Sequence, residues 1–89
     1  MSRIAYVNGR YIPHKNASVH IEDRGYQFGD GVYEVVLVLN KNLIDFEGHY
    51  DRLKRSLKEI SLDFPITDMV IRQIFKRLVK INLITNGLI

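Results

Sequence analysis

The chain has no cysteine, no tryptophan and only two prolines among its 89 residues. Without cysteine it can form neither a disulfide nor a thiolate metal site, which is typical of a reducing compartment. No apolar run approaches the roughly 20 residues that a membrane-spanning helix needs. The first residues, Met1–Tyr6, lack the apolar core of a signal peptide. We therefore predict a cytoplasmic protein that contacts no membrane.

The chain also lacks a strong charge of one sign. Lysines and arginines number 13 against 10 aspartates and glutamates, so the net charge is only +3. A nucleic-acid-binding protein usually gathers its basic residues on one face, whereas these alternate with acids along the chain. A small basic nucleic-acid-binding module remains an alternative, but we expect no such partner. The three histidines, His14, His20 and His49, have no metal-site spacing, and we predict no metal.

Three of the six glycines, Gly25, Gly29 and Gly31, lie within seven residues and predict a tight, shaped loop. Residues 32–39 follow with β-branched and aliphatic side chains and one charge, Glu34, which predicts a strand buried on nearly both faces. Such a loop and strand often place side chains at the mouth of a site. A loop without any ligand is the alternative, and spacing alone favours it.

Short connections predict that the strands are antiparallel. Residues 3–13 form a predicted hairpin around Asn8-Gly9, the strongest short turn signal. Residues 18–22 have an extended pattern, residues 43–46 are expected to pair back on strand 32–39 after a turn, and Leu88-Ile89 resembles the opening of another strand.

Helical periodicity predicts two helices, at residues 47–61 and 68–81. Asp45 is a candidate cap for the first, and Thr67 or Asp68 for the second. The fold class is therefore α+β, an antiparallel sheet covered by two helices, in a single domain over residues 1–89.

Two segments carry a family resemblance. Residues 23–36, Asp-Arg-Gly-Tyr-Gln-Phe-Gly-Asp-Gly-Val-Tyr-Glu-Val-Val, resemble the signature of D-amino-acid (D-alanine) aminotransferases, which are class IV, fold-type IV pyridoxal 5'-phosphate enzymes. Residues 46–53, Phe-Glu-Gly-His-Tyr-Asp-Arg-Leu, resemble the first helix of that family. The resemblance implies the N-terminal domain of a transaminase that moves an amino group between a D-amino acid and a 2-oxo acid. It covers only about the first third of such an enzyme.

The resemblance also implies roles for two side chains. Arg52 matches the arginine that contacts the cofactor phosphate, and a guanidinium suits bidentate phosphate binding. The alternative for Arg52 is a surface arginine paired with a carboxylate. Tyr33 matches the tyrosine that binds the substrate carboxylate, together with an Arg-x-His segment expected beyond Ile89. The alternative for Tyr33 is a buried core tyrosine whose hydroxyl is hydrogen-bonded.

Other polar residues near these two are expected to be structural. Glu34 faces away from Tyr33 and needs a partner, because an unpaired buried carboxylate is costly. Asp23, Arg24 and Asp30 are expected to hold the shape of the glycine loop.

The reaction needs a lysine whose amine is neutral enough to attack. All six lysines fall in predicted turns, loops or polar helix faces: Lys15, Lys41, Lys54, Lys58, Lys76 and Lys80. We therefore assign no catalytic residue and predict that the chain alone is inactive, the full-length enzyme being a homodimer. The alternatives are a truncated, non-catalytic remnant and, within the family, a branched-chain aminotransferase or aminodeoxychorismate lyase.

Overall fold

The computed structural model describes residues 3–89 and begins with the predicted hairpin. Strands β1 (Ile4–Val7) and β2 (Arg10–Pro13) pair in antiparallel register. Asn8 and Gly9 form the turn with φ angles of 49° and 85°. Two successive left-handed residues match the twist of the flanking strands, so the predicted turn is confirmed. A short 3-10 helix follows at His14–Asn16.

The glycine-rich stretch is partly helical, so the prediction of a loop throughout is wrong. Helix α1 (Arg24–Phe28) contains Gly25, and the Asp23 side chain accepts a hydrogen bond from the Gly25 backbone N–H at 2.8 Å. Gly29 ends the helix in the left-handed conformation, with φ 72°. The Asp23 cap starts a short helical turn, which the spacing of the glycines did not predict. Residues 18–22 belong to no strand.

A second sheet has β3 (Leu37–Leu39) at its centre, between β4 (Asn42–Leu43) and β5 (Gly87–Leu88). Both pairings are antiparallel, as predicted. The strands therefore form two sheets, of two and three strands, where one was expected.

The strand expected over residues 32–39 is regular only at Leu37–Leu39, because residues 32–35 lie beside no other strand of the described chain. Burial on both faces is also wrong. Val36 and Val38 are buried, whereas Tyr33, Val35, Leu37 and Leu39 are exposed. The segment still alternates with a period of two, so successive side chains point to opposite faces.

Helices α2 (Phe46–Glu59) and α3 (Asp68–Ile81) provide the other wall of the core. The Thr67 hydroxyl accepts a hydrogen bond from the Val70 N–H at 3.3 Å and caps α3, as predicted. Asp45 stands at the start of α2 but makes no side-chain capping bond, because its own backbone is left-handed, with φ 52°.

Side chains from residues 36–38, α2 and α3 fill the small core, whose buried apolar residues are Val36, Val38, Phe46, Tyr50, Leu57, Leu78 and Val79. The Phe46 ring packs edge-to-face on Phe75, with centroids 5.6 Å apart. The Tyr50 hydroxyl donates to the Ile66 carbonyl at 2.9 Å. Within residues 3–89, no helix is long and apolar enough to cross a lipid bilayer.

Candidate functional site

The candidate site is built around the Glu34 carboxylate, which lies on the inner side of segment 32–36 with only 10% of its side chain exposed. Arg52 donates to both carboxylate oxygens, from Nε to Oε2 at 2.7 Å and from Nη2 to Oε1 at 2.8 Å. His49 Nδ1 lies 2.6 Å from Oε1. Because His49 and Arg52 are three residues apart, they share one face of α2 and reach the same carboxylate.

These contacts fix the charges of the cluster. Hydrogen bonds from Arg52 and then His49 lower the pKa of Glu34 from 4.5 to about 2. Bonding to Glu34 in turn raises the pKa of Arg52. An ionised carboxylate can only accept hydrogen bonds, so His49 must donate through Nδ1–H. The cluster therefore presents an oriented, permanently charged guanidinium.

The donors of Arg52 suit a phosphate. A guanidinium has five N–H groups, and Glu34 engages only one on Nε and one on Nη2. The side chain of Arg52 is 58% exposed, and its remaining N–H groups make no hydrogen bond in the part of the chain that the structure describes. The residues present therefore fit the phosphate of pyridoxal 5'-phosphate as one part of its site, with Glu34 holding the guanidinium from behind.

Tyr33 lies on the outer side of the same segment, 85% exposed. The alternative of a buried core tyrosine is therefore wrong. Its phenol and the Asp45 carboxyl are near enough to Arg52 to contribute to the raised pKa of that guanidinium. Tyr33 points to the face of segment 32–36 opposite the Glu34 carboxylate that Arg52 binds. Neither Tyr33 nor Arg52 lines any of the five surface cavities described on residues 3–89.

The neighbouring polar residues have the structural roles expected of them. Arg24 pairs with Asp30 at 2.7 Å, and Asp23 caps α1. All six lysines are exposed, as their predicted positions implied.

The structure shows the contact named as the alternative for Arg52, a pairing of an exposed arginine with a carboxylate, and it gives Glu34 the partner that was expected. The sequence reasoning did not identify these two residues as each other's partners. The signals were a carboxylate in an apolar strand, which required a partner, and two basic side chains one helical turn apart. Glu34 and Arg52 are 18 residues apart, so their pairing depends on how α2 packs against segment 32–36.

Comparison with known proteins gives the chain its relatives. It is 43% identical over 81 residues to the D-alanine aminotransferase of Listeria monocytogenes serotype 1/2a (strain 10403S), a match over 91% of this chain and 28% of the relative. This chain resembles the D-alanine aminotransferases. A match of that length within 89 residues includes both segments, 23–36 and 46–53, that carried the predicted resemblance, which is confirmed.

Two further relatives have the same name. The D-alanine aminotransferase of Staphylococcus epidermidis (strain ATCC 35984) is 38% identical over 92% of this chain and 29% of its own length. That of Bacillus licheniformis is 44% identical over 84% of this chain and 26% of its own. No family model matches. The chain therefore spans less than a third of the length of these D-alanine aminotransferases.

Proposed function

We propose that this chain is the N-terminal domain of a fold-type IV, pyridoxal-phosphate-dependent aminotransferase that acts on D-amino acids and 2-oxo acids. The observation that supports this most is the 43% identity to a D-alanine aminotransferase across 91% of the chain. The complete enzyme would be a cytoplasmic homodimer. Bound pyridoxal phosphate would supply the electron withdrawal that loosens the bonds of the substrate α-carbon.

In this proposal Arg52 binds the cofactor phosphate through the N–H groups that Glu34 does not engage. Glu34 holds the guanidinium in a fixed orientation, which reduces the rotamer entropy lost on binding. Its carboxylate is already bonded to Arg52 and His49, so much of its negative charge is neutralised before a phosphate arrives.

The proposed role of Tyr33 is to donate its hydroxyl to the carboxylate of the substrate. The phenol is exposed and follows the short helix α1 along the chain. A neutral hydroxyl can orient a carboxylate but cannot replace a charged partner, so further donors from the rest of the enzyme would complete the site.

The chain does not supply a lysine suited to the reaction. A lysine that attacks a carbonyl carbon has to be desolvated, so that its amine is neutral. All six lysines here are exposed, so we place the reactive lysine outside these residues.

A chimera tests the proposal. The matched segment of the Listeria monocytogenes enzyme is replaced by this chain, and the product is assayed with D-alanine and a 2-oxo acid. We expect cofactor binding and turnover, because the chain supplies the phosphate anchor and one wall of the substrate site. A soluble chimera that binds pyridoxal phosphate but transfers no amino group to any 2-oxo acid would contradict the function. One that binds no cofactor would contradict the role of Arg52 as well.

A further inference from the structure

His49 is the member of the Glu34 cluster whose charge can change near neutral pH. The pKa of Glu34 is lowered to about 2 and that of Arg52 is raised, so both side chains keep their charges between about pH 5 and 8. A histidine ordinarily gains or loses its proton in that range. Since the charges of Arg52 and Glu34 cancel, the cluster is neutral when His49 is neutral and carries one positive charge when His49 is protonated.

The contacts of Glu34 connect this charge to Arg52. Glu34 Oε1 lies 2.6 Å from His49 Nδ1 and accepts a hydrogen bond from Arg52 Nη2 at 2.8 Å, so both basic partners share one oxygen. The side chains of Glu34 and His49 are only 10% and 22% exposed, which limits the screening of their charges by water and salt. Because Nδ1–H already donates to the carboxylate, protonation of His49 adds a proton at Nε2 and leaves this contact in place. The charge changes while the arrangement of donors around Glu34 stays the same.

The other titratable groups that act on the cluster do not respond in this range. Tyr33 and Asp45 influence Arg52 through their charges. Phenols ordinarily titrate at about pH 10 and carboxyl groups at about pH 4. Within residues 3–89, Glu34 is the one carboxylate within ion-pair distance of His49. Between about pH 6 and 8, the charge of the cluster therefore depends on His49.

We propose that His49 regulates the affinity of Arg52 for a phosphate group, which the site binds more tightly when His49 is protonated. A protonated imidazole engages the carboxylate of Glu34 more strongly than a neutral one does, because both partners of the hydrogen bond are then charged. Less of the charge of Arg52 is then compensated by Glu34, and an anion on the remaining N–H groups is attracted more strongly. The affinity should therefore fall as the pH rises and His49 loses its proton. This role of His49 rests on the proposed function, in which Arg52 binds the phosphate.

Sulfate binding to the 89-residue chain tests this role without the cofactor. Sulfate stays fully ionised from pH 5.5 to pH 8, whereas a phosphate ester gains a proton near pH 6. The Arg52 Nε–H signal in ¹H–¹⁵N NMR spectra, recorded at constant ionic strength, reports binding at this guanidinium. We expect the dissociation constant of sulfate to rise about threefold or more between pH 5.5 and pH 8.

Variants of two histidines separate an effect of charge from a structural one. His49→Asn keeps an N–H donor for Glu34 but cannot be protonated, so its affinity for sulfate should be the same at both pH values and close to that of the parent at pH 8. A histidine that only supported the fold would leave the pH dependence unchanged in this variant. His20→Asn, at an exposed histidine outside the cluster, is the matched control and should keep the full pH dependence. Circular dichroism confirms that each variant is folded.

The outcome for His49 can be told apart from the outcome for the proposed function. The same pH dependence in folded His49→Asn as in the parent overturns the regulation by His49, and so does a parent chain in which sulfate leaves the Arg52 signal unmoved. Turnover by the chimera tests the proposed function separately. An active chimera combined with sulfate binding that ignores His49 would retain the function and remove only its regulation.

Discussion

At the scale of single residues, Glu34 decides how the candidate site is arranged. It is a nearly buried carboxylate whose bonds to Arg52 and His49 satisfy both of its oxygens. Because the partners are basic, the pKa of Glu34 falls to about 2, and the folded protein favours the ionised carboxylate. The same cluster therefore contributes to both stability and ligand binding.

Glu34 predicts acid sensitivity. A carboxyl whose folded pKa is depressed contributes stability above its unfolded pKa and loses it as pH falls toward the folded value. We expect the free energy of unfolding to decline between pH 4.5 and about 2, and the Glu34→Gln variant to lack this part of the decline. Urea unfolding across that pH range measures it. Glu59→Gln, at an exposed carboxylate of α2, is the control, and an unchanged slope in Glu34→Gln would contradict the assignment.

Arg52 carries the prediction on the cofactor. In the chimera, Arg52→Ala should lower the affinity for pyridoxal 5'-phosphate about tenfold or more, because a charge-assisted bidentate contact is lost. Arg52→Lys should recover only part of it, since an ammonium lacks the planar fork. Arg55→Ala, on the exposed face of α2, is the matched control. Titration with pyridoxal, which has no phosphate, should show no difference between Arg52→Ala and the parent chimera. Equal losses for both ligands would mean that Arg52 is only structural.

At the scale of elements, the sequence predicted structures that depend on local signals, whereas it did not predict the extent of strands that pair with distant residues. Helix α3 runs from Asp68 to Ile81, as expected. It was predictable because its capping residue and its apolar periodicity are both local features of the sequence. The strand at residues 32–39 was overestimated because strand length depends on a partner elsewhere in the chain. The hairpin at Asn8-Gly9 was predictable, since its partner is two residues away.

Asn82 joins two elements and gives a prediction at this scale. Its side chain accepts from the Ile4 N–H at 2.7 Å and donates to the Ile4 and Leu78 carbonyls at 3.0 and 2.9 Å. Asn82→Ala leaves backbone groups of β1 without partners, so we expect a loss of about 1–3 kcal/mol in the free energy of unfolding. Chemical denaturation measures it, with Gln73→Ala on exposed α3 surface as control. A loss no larger than that of the control would show that the hairpin is held by packing alone.

At the scale of the whole molecule, the site could be predicted only residue by residue. The roles of Tyr33 and Arg52 were proposed from sequence, whereas the pairing of Arg52 with the Glu34 carboxylate depends on tertiary packing. The radius of gyration is 13.8 Å, against about 12 Å for a compact chain of this length. The chain is therefore more open than a compact domain of the same length.

The same openness leads to the last prediction, that the 89-residue chain by itself performs no transamination. Its exposed lysines can each react weakly and reversibly with the aldehyde of pyridoxal phosphate, but none is desolvated enough to be preferred. After reduction with borohydride, mass spectrometry should find substoichiometric cofactor spread over several lysines, and D-alanine should give no turnover. In the chimera, one lysine outside the 89 residues should carry the cofactor at full occupancy. Stoichiometric labelling of a single lysine in the isolated chain, together with turnover, would show that the chain contains a complete active site.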